Sequence, residues 1–427
     1  MTTTAAPAAW AAPTADGPVR GRVSLPGSKS LTNRLLVLGA LAETPSVLRE
    51  PLEARDTALM ACGLRALGVA VHHQPGVWRV VPGRLRGPAA VDVGNAGTVA
   101  RFLPPVAALG DGAVAFDGDP RVRERPLAGL LAALRTLGAS IDDAEGGLPI
   151  TVQGTGGLAG GSVTVDASGS SQLLSGLLLS GPRMRAGLTV THRGGPLPSV
   201  PHLEMTVACL RTAGAVVDDA TTGTWRVEPG PLLGRDITVE PDLSNAAPFL
   251  AAAAATGGEV GVTGWPAGTT QPGRLLGGLL ERMGCRTSSV GGALVVTGPD
   301  RLLGLDADLA AASELVPTLV ALAVLARTPS RLRGVGHMRG HETDRLRALA
   351  EELGRLGARV TETADGLQVE PAPLHAPDRP LDPRSDHRLA TCYAVLGLVV
   401  PGVHVLDVAT VGKTMPDFTD RWAALVG

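Results

Sequence analysis

Lysine is almost absent from this chain. Of 38 basic residues only Lys29 and Lys413 are lysine, and the other 36 are arginine. A composition skewed this far replaces lysine wherever the two are interchangeable, so the survivors mark positions that need a compact, rotatable point charge rather than a planar fork. Cysteine is scarce too. The four cysteines, Cys62, Cys209, Cys285 and Cys392, lie far apart with no C-x-x-C spacing. That argues against a zinc site and a disulfide framework and suits a reducing compartment. A net charge of only −2 argues against a nucleic-acid or membrane-surface binder. No basic stretch precedes an apolar run at the N-terminus, and alanine-rich runs such as FLAAAAATGG are too short to span a bilayer. The sequence predicts a cytoplasmic protein with a disordered leader over residues 1–17. No metal constellation is present, because His72 and His73 are neighbours in a strand pattern and face opposite ways. DVATVGKT ends like a Walker A loop, but Asp407 stands where glycine is required.

What the chain does have is a repeat. A helix end of the form L-R-x-L-G-A-x-V recurs as LRALGVAV, LRTLGASI, LRTAGAVV, LERMGCRT and LGRLGARV, with glycines at Gly68, Gly138, Gly214, Gly284 and Gly357. A further 70 residues reach Gly427, so six units fill the chain. Each pairs such a helix, stopped by a C′ glycine, with a second helix that is apolar on nearly every face and therefore buried. The second type reads SKSLTNRLLVLGALA, NAGTVARFLPPVAAL, SGSSQLLSGLLLSG, LSNAAPFLAAAAA, ASELVPTLVALAVLA and SDHRLATCYAVLGLVV. Short strand patterns such as GSVTVDA, GLTVTHRG and TWRVEPG lie between, giving roughly β-α-β-α-β-β per unit.

Polar residues concentrate at the helix starts. Before the buried helices stand Lys29, Ser30 and Arg34; Asn95, Gly97, Thr98 and Arg101; Ser170, Ser171 and Gln172; Ser313 and Glu314; Asp386, His387 and Arg388. Before the others stand Arg125, the group His341, Glu342, Asp344 and Arg345, and Lys413 with Thr414. Helix starts bind anions through unpaired N–H groups, yet a cation there opposes the helix dipole. Ordinary capping explains the Ser, Thr, Asp and Asn but leaves the cations unexplained. Together they suggest a site for small ligands carrying more than one phosphate or carboxylate, flanked by acid/base groups.

The stretches GSKSLTNR, GNAGTVARF, ERPL, SGSSQ, SVPHLEMT, HETDRL, SDHR and GKTMPDF together resemble the 5-enolpyruvylshikimate 3-phosphate synthase family of enolpyruvyl transferases, from about Val19 onward. The resemblance implies a two-domain enolpyruvyl transferase fold, an inside-out α/β barrel with three β-α-β-α-β-β units per domain and a cleft that closes on substrate. It places domain I at 18–26 plus 240–427 and domain II at 27–239. It implies transfer of the enolpyruvyl group of phosphoenolpyruvate to the 5-hydroxyl of shikimate 3-phosphate, with no cofactor or metal, by a monomer whose partners are these two small molecules.

Carried onto this sequence, the family pattern implies phosphoenolpyruvate contacts at Lys29, Asn95, Gly97, Arg125, Arg345, Arg388 and Lys413. Shikimate 3-phosphate would be held by Lys29, Ser30, Arg34, Ser170, Ser171, Gln172, Ser199, Glu314 and His341. Lys29, Glu314, His341 and Glu342 are the implied catalytic residues, Glu314 toward the hydroxyl proton and Glu342 toward the methylene proton. The chain departs from the commoner pattern with His341 for Lys, His337 for Asn, Glu314 for Asp, His202 for Tyr and Phe102 for Pro. An imidazole at 341 would lend charge that depends on pH. Gly97 implies inhibition by glyphosate, and Phe102 weakens that expectation. Three alternatives remain open: a UDP-N-acetylglucosamine enolpyruvyl transferase, which usually has a reactive cysteine where RVRERPL stands, an RNA 3′-phosphate cyclase, and a non-catalytic relative that binds the ligands.

Overall fold

A computed structural model describes residues 9–427. They divide into two compact units: an inserted unit, Pro26–Glu240, and a terminal unit made of residues 9–25 with Pro241–Gly427. The inserted unit holds helices α1 (Lys29–Leu41), α2 (Arg55–Ala66), α3 (Gly97–Ala108), α4 (Pro120–Arg123), α5 (Ala128–Thr136), α6 (Gln172–Ser180) and α7 (Val200–Thr212). The terminal unit holds α8 (Ala246–Thr256), α9 (Leu276–Arg282), α10 (Val316–Leu325), α11 (Arg345–Gly354), α12 (His387–Gly397) and α13 (Phe418–Val426).

The architecture is mixed α/β and repetitive, as the sixfold period anticipates. Five four-stranded sheets share one order. In one of them Gly161–Val165 runs parallel to Leu188–His192, which pairs antiparallel with Thr224–Val227, and that strand with Val217–Asp218. Sequence order dictates this: a helix crossover returns the second strand parallel to the first, while the last two strands form a hairpin. Two sheets draw a strand from a distant segment. Asp236–Thr238 lies parallel to Ser46–Arg49 in the inserted unit, and Arg20–Val23 lies parallel to Glu259–Val262 in the terminal unit.

The sixth unit corrects the expected leader. Residues 1–8 lie outside the described residues, but Trp10–Ala11 pair antiparallel with His404–Val405, and Leu381 bridges Val405 in parallel. This segment fills the place that a hairpin strand takes in the other five sheets. Its order has a physical cause: Ala12 donates its N–H to Val403 O, and Trp10 packs edge-on against Phe418 at 6.3 Å between ring centroids.

The apolar-all-round helices are buried as their pattern requires, and every residue of α3 is inside. The repeated C′ glycines take φ values of +97° at Gly68, +101° at Gly138, +95° at Gly214, +97° at Gly284 and +86° at Gly357, which glycine adopts without a Cβ clash. Each unit has its own hydrophobic core. In the terminal unit Trp422 stacks on Phe418 at 5.5 Å and tilts against Phe249 at 5.6 Å. Trp422 is fully enclosed. Trp422→Ala is expected to destabilise the terminal unit by about 3–5 kcal/mol in urea unfolding; an unchanged midpoint would show that this cluster does not hold the core.

Candidate active site

In the inserted unit the starts of α1, α3 and α6 carry the expected polar residues. Ser28 caps α1, and Lys29 is its first residue. The Lys29 ammonium lies 3.3 Å from Asp56 Oδ2, a carboxylate in the first turn of α2 that is only 2% exposed. Arg34 points inward: Nε donates to Thr206 Oγ1 at 2.8 Å, Nη1 to Ser30 O at 2.9 Å, and Nη2 to His202 O at 3.0 Å and Ser175 Oγ at 3.3 Å. Its guanidinium also lies 5.3 Å from the centre of the Phe102 ring. These contacts fix the guanidinium among α1, α3, α6 and α7.

Around the start of α3 two further guanidiniums converge. Arg125 Nη1 donates to Asn95 O at 3.1 Å and Oδ1 at 3.2 Å, and Arg101 Nη1 donates to Gly97 O at 3.2 Å and Gln172 Oε1 at 3.4 Å. A Cβ on Gly97 would lie 2.6 Å from Arg125 Nη2 and 2.7 Å from Arg101 Nη1. Only glycine leaves that space. Ser170 Oγ accepts from Gln172 N, and Ser171 Oγ donates to the carbonyl of Ser199, a residue held at φ +51° before α7. A left-handed serine is costly and is kept where the surrounding structure fixes it.

The terminal unit builds a buried ion network at the starts of α11 and α12. Arg345 Nε donates to Asp386 Oδ2 at 2.7 Å, and Nη2 donates to Glu342 Oε2 at 2.9 Å and Asp386 Oδ1 at 3.3 Å. Lys413 Nζ donates to Glu342 Oε1 at 2.8 Å. Burial alone would lower the pKa of Arg345, but Asp386 and then Glu342 outweigh it and raise the value. Asp386 also caps α12 by accepting from Arg388 N at 2.8 Å, and Arg388 Nη1 donates to the carbonyl of Glu314 at 3.2 Å.

Arg345 Nη1 meets His341 Nδ1 at 3.0 Å. A guanidinium has only donors, so Nδ1 stands as the acceptor in this contact. Through that contact His341 enters the network as a hydrogen-bonding ring. His337 stands edge-on to it at 5.4 Å.

Sequence reasoning finds most of these residues but misses Asp56 and assigns Asp386 no partner. Asp56 is missed because an acid in a first turn is ordinary helix chemistry. Asp386, noticed only as part of a cluster, proves to be the carboxylate that holds Arg345. Arg34 and Arg345, expected as direct ligand contacts, have most of their donors committed to the protein. A recess of about 920 Å³ in the inserted unit is lined by Asp92, Asp117 and Asp142, and a small one in the terminal unit is lined by Glu314, Arg388 and Thr414. Among the described residues no group of His, Cys, Asp or Glu is placed to hold a metal ion, and no helix is long and apolar enough to cross a membrane.

Burial pushes the pKa of His337 below its ordinary value, with Glu314 acting against the shift and Arg345 with it. The folded state then binds fewer protons than the unfolded state, so stability is lost as pH falls below about 6.5. In melting curves from about pH 7 to about pH 5, wild type should lose Tm more steeply than His337→Gln. Parallel profiles would refute this.

The chain and its fold are similar to known proteins. A family profile, EPSP synthase (3-phosphoshikimate 1-carboxyvinyltransferase), matches residues 13–422. A 3-phosphoshikimate 1-carboxyvinyltransferase of Kocuria rhizophila is 52% identical over 431 aligned residues, covering 98% of this chain and 96% of that one. Among solved structures, EPSP synthase from Acinetobacter baumannii matches with a TM-score of 0.79 at 24% identity, covering 98% of this chain and 97% of that one. The enolpyruvyl transferase NikO from Streptomyces tendae matches with a TM-score of 0.78 at 20% identity, covering 96% of each chain. The two structures establish the enolpyruvyl transferase fold, and the profile and the Kocuria relative go further: the chain belongs to the EPSP synthase family.

Proposed function

We propose that this protein transfers the carboxyvinyl group of phosphoenolpyruvate to the 5-hydroxyl of shikimate 3-phosphate and releases phosphate, the enolpyruvyl step of the shikimate pathway to aromatic amino acids. The observation that carries the reading is Glu342, a 9%-exposed carboxylate held between Lys413 and Arg345. In addition, the hydroxyl oxygen bonds to C2 of phosphoenolpyruvate and loses its proton while C3 gains one. In elimination, the bond from C2 to the phosphate oxygen breaks and C3 gives the proton back, leaving the vinyl ether. The two cations fix where this carboxylate stands; Glu342 is assigned the methylene proton and Glu314 the hydroxyl proton. Lys29 and Lys413 stabilise charge on phosphate and carboxylate groups.

The substrate assignments rest on the same family pattern. Arg125, Asn95, Gly97, Arg388 and Lys413 serve phosphoenolpyruvate, with Arg345 acting mainly by holding Glu342 and His341. Ser30, Ser170, Ser171, Gln172 and Ser199 serve shikimate 3-phosphate, with Arg34 ordering the helices around them. We also propose a cytoplasmic monomer, inhibited by glyphosate on the ground of Gly97.

The deciding experiment is phosphate release from phosphoenolpyruvate with shikimate 3-phosphate or UDP-N-acetylglucosamine as acceptor. Release should occur with the first only, and Lys29→Arg should lower it by about 100-fold, since a planar fork cannot follow a phosphate through the reaction. Release with the second acceptor, or full activity of the variant, would overturn the reading. Gly97→Ala should raise the KM for phosphoenolpyruvate by about 10-fold or more, because the added methyl forces Arg125 and Arg101 apart. An unchanged KM would place this substrate elsewhere.

A further inference from the structure

Five of the six buried-helix starts supply residues to the proposed reaction, while the LSNAA start of α8 has been given no part. The structure gives it one. Asp242 accepts from the N–H groups of Ser244 and Asn245, both at 3.0 Å, and so fixes the turn that presents Asn245. Asn245, only 7% exposed, donates from Nδ2 to Thr414 O at 3.1 Å, and its Oδ1 accepts from Thr414 Oγ1 at 3.3 Å. Thr414 directly follows Lys413, at the end of the 3-10 helix Val408–Lys413. The same asparagine lines a small polar recess with Ser244, Glu314, His387, Arg388 and Thr414.

We propose that Asn245 is a positioning residue that sets where Lys413 stands, and through it the Glu342 carboxylate. The two reciprocal hydrogen bonds clamp both backbone and side chain of residue 414, so the lysine beside it has a fixed root. That matters for a flexible side chain whose ammonium is a point charge with no geometry of its own. Capping is the bland alternative, but no capping bond from the Asn245 side chain is present at α8; the turn before that helix is held by Asp242.

The proposal rests on the function given above, and its test includes a readout that does not. Because the chain contains only two lysines, amine acylation followed by mass spectrometry reports Lys413 directly, with Lys29 as internal reference. In Asn245→Ala, and more weakly in Thr414→Val, the acylation rate of Lys413 relative to Lys29 should rise about 10-fold, as a released side chain samples exposed rotamers. In phosphate release, Asn245→Ala should lower kcat/KM for phosphoenolpyruvate by about 10- to 100-fold. The same change in a Lys413→Ala background should cost nothing further, the non-additivity expected of residues that act through one another. Unchanged acylation, or equal losses in both backgrounds, overturns the proposal. If wild type itself releases no phosphate, the functional reading fails, and the acylation ratio still decides whether Asn245 holds Lys413.

Discussion

The terminal unit is organised around one buried guanidinium. Arg345 is 2% exposed, and a cation taken out of water costs several kcal/mol unless its hydrogen-bonding capacity is met with good geometry. That constraint specifies its surroundings. Asp386 must face it, which fixes the first turn of α12 and with it Arg388. Glu342 must face it too, which leaves that carboxylate's second oxygen for Lys413. The remaining fork nitrogen meets His341 Nδ1, which stands as its acceptor. Two cations and two carboxylates thereby reach balance, and each helix start is held by its partners rather than by its own dipole.

The inserted unit meets a related demand with different means. Arg34, Arg101 and Arg125 donate to carbonyls, hydroxyls and amide oxygens. Lys29 is the exception, tied to Asp56. A lysine suits that position because a single ammonium can turn between a carboxylate and a phosphate, where a fork would be committed to one of them.

Much of this was legible from sequence, for physical reasons. A glycine forced to positive φ cannot drift to another residue, so the sixfold period survives in the helix ends even where the helices diverge. Cations at helix starts break a local rule, and such breaks stand out against a consistent background. What stayed hidden obeys local rules. Asp56 is an acid in a first turn, and Asn245 is a common residue at a helix start whose partner lies 169 positions away. Trp10 and Ala11 are two residues in an alanine- and proline-rich stretch, with no alternation to mark a strand, and only the distant His404–Val405 edge makes them one.

That distant pairing bears on synthesis. The inserted unit is one unbroken stretch whose last strand, Asp236–Thr238, closes onto Ser46–Arg49 as soon as both have left the ribosome. The terminal unit has no such option. Arg20–Val23 precedes the inserted unit and must wait for Glu259–Val262 beyond it, and Trp10–Ala11 must wait for His404–Val405. Until those distant partners are made the two early strands are unpaired edges, and such edges invite wrong partners. The brevity of Trp10–Ala11, at two residues, and the two arginines in Arg20–Val23 limit that hazard.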